Sequence, residues 1–120
     1  GYVMNATKLP GGASYGATWA VDDIMAVALD LDTAQNTVTF YKNNASQGAI
    51  DIDNALYVFG SGNGQGSSTV TMNTNFGADD TFAGEITSAG NTDANGYGLF
   101  KYAPPSGYYS LCTKNLAEFG

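Results

Sequence analysis

Asp30 and Asp32 stand two residues apart in an extended stretch, so both carboxylates fall on one face of a strand, about 6–7 Å apart. Carboxyl groups separated by about 6.5–9.5 Å can serve as the acid and base of an inverting glycoside hydrolysis. A general acid needs a raised pKa and therefore burial. These two enter a polar turn at a strand end, and no Glu-x-Asp-x-Glu run accompanies them, Glu85 and Glu118 being the only glutamates. The expectation is that the pair holds its turn by side-chain hydrogen bonds and that the chain has no catalytic residues.

Oxygen ligands for a hard cation occur in two places: Asp30, Asp32 and Asn36, and Asp51, Asp53 and Asn54. Calcium takes about six to eight oxygens, and neither group is followed by the bidentate glutamate of a calcium loop. Asp51 and Asp53 are the better calcium candidates, although solvated loop acids are the expectation for both groups. Cys112, in Leu111-Cys112-Thr113, reads as a small buried hydrophobe with only Lys114 near in sequence to activate a thiolate. Gly62-Asn63-Gly64 lacks the lysine of a phosphate loop, so residues 60–68 form a flexible loop at a hairpin end.

Recognition chemistry fits better than catalysis. Eight tyrosines accompany sixteen glycines. Tyr41, Tyr57 and Tyr102 fall in strands, whereas Tyr97, Tyr108 and Tyr109 lie near loops. Tyrosine beside Asn and Gly combines rigid amphipathic area with adaptable hydrogen bonding, and it also suits stacking on sugar rings. Tyr97, Tyr108 and Tyr109, with Asn63 and Gln65 of the flexible loop, are the candidate ligand-binding residues.

Charge narrows the partners. Four lysines meet eleven acids, giving a net charge of −7 with no arginine and no histidine. Scattered lysines on an acidic surface cannot neutralise phosphates, so nucleic acid is excluded as a partner. No run approaches the ~20 apolar residues of a membrane-spanning helix, so no membrane insertion is expected. Without histidine, a Ser-His-Asp triad, a Cys-His pair and a His-ligated zinc site are all impossible. Nothing implies a cofactor. One cysteine makes no internal disulfide and leaves the redox compartment unread. Gly1-Tyr2-Val3 is not a translation start, so the chain reads as a processed product or a segment of something longer.

The elements that position these residues are short, rich in Val, Tyr, Phe and Thr, and bounded by turn residues, which predicts an all-β fold. In residues 24–31, Met25, Val27, Leu29 and Leu31 share the core face by the period of two, with Ile24, Ala26 and Ala28 on a second, covered face. Residues 37–42 follow, with Val38 and Phe40 inward and Thr37, Thr39 and Tyr41 outward, and Asn43-Asn44 supplies a tight turn. Further strands are expected at residues 56–59, 69–76, 100–102 and 108–111.

The hairpin from Asp22 to Asn44 resembles the core hairpin of SPRY domains: Asp22-Asp23-Ile24-Met25-Ala26-Val27-Ala28-Leu29-Asp30-Leu31-Asp32, then Thr37-Val38-Thr39-Phe40-Tyr41-Lys42-Asn43-Asn44. Tyr15-Gly16-Ala17-Thr18-Trp19 is similar to the segment leading into it. Ala55-Leu56-Tyr57 and Val70-Thr71-Met72-Asn73 with Asn75-Phe76-Gly77 resemble the closing strands. Phe82-Ala83-Gly84, Tyr102-Ala103-Pro104-Pro105-Ser106-Gly107-Tyr108 and Leu111-Cys112-Thr113-Lys114-Asn115-Leu116 resemble the ending of SPRY-like modules in large phage virion proteins. The chain looks like the C-terminal half of such a module plus its tail; the aromatic-rich opening strands of the family have no counterpart here.

The resemblance implies an antiparallel, concanavalin-like β-sandwich, complete or in part. Residues 1–78 would carry its core strands, and residues 79–120 a Gly- and Tyr-rich extension packed on the same domain. It also implies a non-enzymatic virion or extracellular module, in capsid decoration, tail or fibre. Its partners would be other virion proteins or a host-surface receptor or glycan bound through loops. A carbohydrate-binding or glycan-cleaving domain on the same sandwich is the alternative. Half a sandwich leaves a sheet edge and an apolar face to cover, so a homo-oligomer or membership of a larger assembly is expected.

Overall fold

A computed structural model describes residues 1–3, 5–62, 69 and 71–120. They form two compact units, Gly1–Asn54 and Ala55–Gly120. Regular structure is mostly strand, in antiparallel sheets, with one short helix among the described residues.

The first unit holds two three-stranded sheets. One joins the two-residue strands β1 (Tyr2–Val3), β2 (Thr7–Lys8) and β3 (Ala13–Ser14). The other runs β4 (Met25–Asp30), β5 (Thr37–Lys42) and β6 (Ala45–Asp51) in sequence order. Met25 faces Lys42 and Asp30 faces Thr37 across the first ladder. Asn43 and Asn44 link β5 to β6 with φ of 46° and 72°. Two consecutive left-handed residues make the tight hairpin turn whose twist matches its strands, and asparagine tolerates that region better than most residues. Asn43 also ties the turn down, donating from Nδ2 to Asp23 Oδ1 (2.6 Å) and accepting from the Ile24 N–H (2.9 Å). Lys42 Nζ lies 3.2 Å from Asp23 Oδ2. The Ala20 N–H first, then Asn43 and Lys42, hold the Asp23 carboxyl below the usual aspartate value against a smaller opposing effect of burial.

Strand β6 went unforeseen because its alternation is broken at Gly48. The register with β5 shifts between Thr39 and Tyr41, so two β6 residues oppose one β5 residue in a β-bulge. Gly48 has φ of 97°, a conformation glycine adopts freely.

The faces of the hairpin depart from expectation in part: Ala28 lies on a covered face as expected, but Val27, Leu29 and Thr39 do not follow the reading. Ala28 and Thr39, paired across the ladder, are the buried residues, at 6% and 8% exposure, while Val27 and Leu29 are 44% and 39% exposed. Opposite residues of an antiparallel pair share a face, so the Ala28–Thr39 row lies inward and Thr39 is not an outward residue. On the other face the rings of Tyr2 and Tyr15 meet Phe40 at 5.5 and 6.0 Å, a cover that reaches β5 and leaves Val27 and Leu29 on β4 open.

The second unit corrects more of the sequence reading. None of the strands expected at residues 56–59, 69–76, 100–102 and 108–111 forms among the described residues; Val70 lies outside them. A single bridge joins Asn91 to Phe100. Leu56 and Val58 are 95% and 88% exposed, with no ladder to give their alternation a partner. The backbone is held instead by short polar side chains. Asn75 Oδ1 accepts from the N–H groups of Gly77, Ala78 and Asp79. Asp79 accepts from the Thr81 and Ala83 N–H groups. The tail forms a helix, α1 (Thr113–Phe119), where no helix was expected. Its N-cap is Cys112, and Gly120 closes it by donating its N–H to the Leu116 carbonyl at 3.1 Å.

Candidate functional site

Asp93 organises the C-terminal unit. It sits in Asp93-Ala94-Asn95-Gly96-Tyr97, where Gly96 supplies a φ of 77° and donates its N–H to the Asp93 carbonyl at 2.9 Å. Asp93 Oδ1 accepts from the N–H groups of Asn95 and Tyr97, both at 3.0 Å, an aspartate turn that closes the loop on itself. Its Oδ2 accepts from the Ser110 N–H (2.8 Å), Ser110 Oγ (2.9 Å) and Asn115 Nδ2 (2.7 Å). One carboxylate thus gathers the loop 93–97, the segment before α1 and the helix itself. Asp93, Ser110 and Asn115 are all at least nine-tenths buried. Burial opposes ionisation of Asp93, but the hydrogen bonds from Ser110, Tyr97 and Asn115 together outweigh it and hold the carboxyl far below the usual aspartate value.

The chemistry of this cluster is that of a pin. A carboxylate held so low is a poor proton acceptor, and the single Ser110 proton has Asp93 Oδ2 and Cys112 Sγ as alternative acceptors. Cys112 Sγ lies 3.2 Å from Ser110 Oγ. The Ser110 hydroxyl and the N–H groups of Asn115 and Lys114 shift the half-buried thiol below its usual value, against burial and the Asp93 charge. The expectation of a buried hydrophobe is thereby corrected, because the thiol is only half-buried and lies beside the Ser110 hydroxyl.

Asp93 also places the tyrosines. Tyr97 is half-buried, its hydroxyl donates to Glu118 Oε2 at 2.8 Å, and Lys114 Nζ lies 4.5 Å from the centre of its ring. Tyr109 precedes the pinned Ser110 and is 57% exposed. Tyr108 is half-buried and donates its N–H to the Pro105 carbonyl at 3.0 Å. Leu111, Leu116 and Phe119 are exposed on the same segment and helix, at 62%, 54% and 68%. The structure therefore brings Tyr97, Tyr108 and Tyr109 onto segments fixed by one carboxylate; Asn63 and Gln65 lie outside the described residues. Sequence reasoning missed Asp93, Ser110, Asn115, Lys114 and Glu118. The available signal was Asp-x-Asn-Gly, a turn signature that names the loop but not its partners 17 and 22 residues away.

Elsewhere the polar groups are committed to loop geometry. Asp80, 2% exposed, accepts from Ser88 Oγ, the Ala89 N–H and the Gly90 N–H, and the Gly90 contact leads in lowering its pKa. A cleft of about 240 Å³ lies among Met72, Asn73, Thr74, Asn75, Asp79 and Phe82, below the ~300 Å³ of ordinary ligand pockets. Asp30 Oδ1 accepts the Asp32 N–H at 3.0 Å, the turn-holding role expected of that pair. Asp51 ends β6 and Asp53 is exposed; no group of three or more His, Cys, Asp or Glu placed to hold a metal occurs among the described residues. No helix among them is long and apolar enough to cross a membrane.

No protein-family model, curated protein or solved structure matches the chain.

Proposed function

We propose that the chain is part of a non-enzymatic binding module, a SPRY-like β-sandwich of a phage virion, that meets a protein or host-surface ligand through the tyrosine-bearing loops of its C-terminal unit. The observation that carries the binding reading is the double anchoring of Asp93, which fixes the Tyr97 loop and the Tyr109 segment before any ligand arrives. Aromatic area already held in place loses little freedom on binding, the condition for a useful recognition surface. The virion setting rests on the resemblance of the hairpin and the tail, and it places the module outside the cell in a larger assembly.

Stacking on a sugar ring is a second reading, favoured by the exposure of Tyr109. Tyr97 suits it less, because Lys114 already lies over that ring. The test is binding of the purified chain to a glycan array and to isolated virion proteins, repeated with Tyr109→Ala. The expected result is one class of ligand retained by the native chain and weakened about tenfold or more in the variant, with unchanged melting. Binding indifferent to Tyr109, or no binding in either assay, would overturn the assignment.

A further inference from the structure

Sheet edges are normally blunted by lysine, proline, a bulge or a covering segment. In the β4–β5–β6 sheet those devices fall on one side only. Strand β6 carries Gly48 and the bulge, and the Gln47 side chain beside it accepts the Ala17 N–H at 2.7 Å. Strand β4, Met-Ala-Val-Ala-Leu-Asp, contains no lysine, proline or glycine, and its register with β5 is unbroken.

The open groups on β4 follow from its pairing. Asn43 donates its N–H to the Ile24 carbonyl at 2.9 Å, so Ile24–Asn43 is a hydrogen-bonded pair. Alternation makes Ala26–Tyr41 and Ala28–Thr39 the next such pairs. The N–H and C=O groups of Met25, Val27 and Leu29 therefore point away from β5, and no backbone group among the described residues meets them. Val27 and Leu29 also expose their side chains, which offers apolar contact beside an unpaired ladder.

Charge at the two ends selects the occupant. Asp22 precedes the strand, while Asp30 ends it and Asp32 follows. Asp23 is neutralised by Lys42, the one ion pair among the described residues, so none of those three acids is matched by a cation there. A second copy would bring the same acids, at a net charge of −7 per chain. A strand flanked by cations meets both ends favourably.

We propose that the free edge of β4 is a strand-addition site that takes an extended segment of another polypeptide, apolar at alternate positions and with lysine or arginine at its ends. Main-chain bonds from Met25, Val27 and Leu29 hold the segment, the exposed side chains of Val27 and Leu29 favour its apolar residues, and Asp22, Asp30 and Asp32 select its ends. This site belongs to the first unit and shares no residue with the tyrosine surface.

The test uses the full chain and a blocked Lys-Val-Thr-Val-Thr-Val-Lys peptide, read by amide hydrogen exchange and light scattering. At saturation the Met25, Val27 and Leu29 amides should exchange about tenfold more slowly or better, while Ala26 and Ala28, already bonded to β5, should not change. Replacing both peptide lysines by glutamate should weaken binding about tenfold or more at low ionic strength. Val27→Pro removes an outward donor without touching the β5 ladder and should abolish binding. If that variant loses protection at Ala28, Leu29→Lys gives the same readout by placing a charge on the edge. Unchanged exchange at every peptide concentration, equal binding of the glutamate peptide, or binding that survives both variants would overturn the proposal. So would a dimer of the chain alone with Met25, Val27 and Leu29 already protected, which would assign the edge to a second copy.

Discussion

Tyr15 and Gly48 are joined across the β-bulge of the main sheet: the tyrosine hydroxyl donates to the glycine carbonyl at 2.5 Å. The same hydroxyl accepts the Phe40 N–H at 3.3 Å, so one side chain satisfies both backbone groups that the bulge takes out of register. Its ring meanwhile packs edge-on to Tyr2 and Phe40. Burial first, with smaller contributions from the neighbouring tyrosines, raises the Tyr15 pKa despite the Phe40 hydrogen bond.

Tyr15→Phe keeps those ring contacts and deletes the bridge. The Phe40 N–H and the Gly48 carbonyl would then depend on solvent, and the expected loss is about 1 kcal/mol in urea unfolding. A variant as stable as the native chain would mean that water serves the bulge equally well.

Asp93→Asn replaces an acceptor of five hydrogen bonds with a group that carries its own donors. The expected cost is about 2–4 kcal/mol, because buried Ser110 and Asn115 donors lose their partner. The pH dependence follows from the lowered Asp93 pKa. In the unfolded chain this carboxyl takes up its proton near the ordinary value of about 3.9, whereas in the folded protein it stays ionised well below that. Its contribution is therefore complete above about pH 5 and is lost progressively as the pH falls through 4 and below. Acid unfolding monitored by circular dichroism should show this decline in the native chain and a flatter curve in Asp93→Asn.

The Asn43-Asn44 turn has unequal halves. Asn43 uses its side chain on Asp23 and Ile24, whereas Asn44 makes no side-chain hydrogen bond among the described residues. Asn43→Gly should cost about 0.5–1 kcal/mol through those lost bonds, although glycine suits the backbone. Asn44→Gly should fall within about 0.5 kcal/mol of the native protein. Equal effects in thermal melting would contradict the asymmetry.

Glu118→Gln should lower the Tyr97 pKa. The hydrogen bond that the phenol donates to Glu118, then burial, then the Glu118 charge, raise it in the native chain. A neutral acceptor removes the charge repulsion on the phenolate and weakens the bond. Tyrosine ring resonances followed through alkaline pH give the direction, and a Tyr97 midpoint that stays put would place the cause elsewhere.

What the sequence disclosed depends on how locally each element is determined. Residues 24–42 were legible because two runs with strand alternation flank a polar link, and Asn43-Asn44 announces its own turn. The cover expected over Ala28 is present, but Val27 and Leu29 were read as core and Thr39 as outward, since periodicity separates two faces without saying which one is covered. Strand β6 was hidden by the bulge at Gly48. Helix α1 was hidden because seven residues hold fewer than two full periods and the N-cap is a cysteine, outside the usual Ser, Thr, Asp and Asn. The reading of Tyr97, Tyr108 and Tyr109 as a group rested on composition. Their common anchor, Asp93, acts through partners too distant in sequence for any local pattern to name.

In the C-terminal unit the buried side chains among the described residues are Asp80, Asp93, Ser110 and Asn115, all of them polar. Exposing polar groups to water lowers heat capacity, whereas exposing apolar groups raises it. Unfolding of this unit should therefore be accompanied by a heat-capacity increment below the ~12–15 cal/mol/K per residue of ordinary domains. Its free energy of unfolding would then bend less with temperature than that of a domain built on apolar burial, and its stability maximum would be broader.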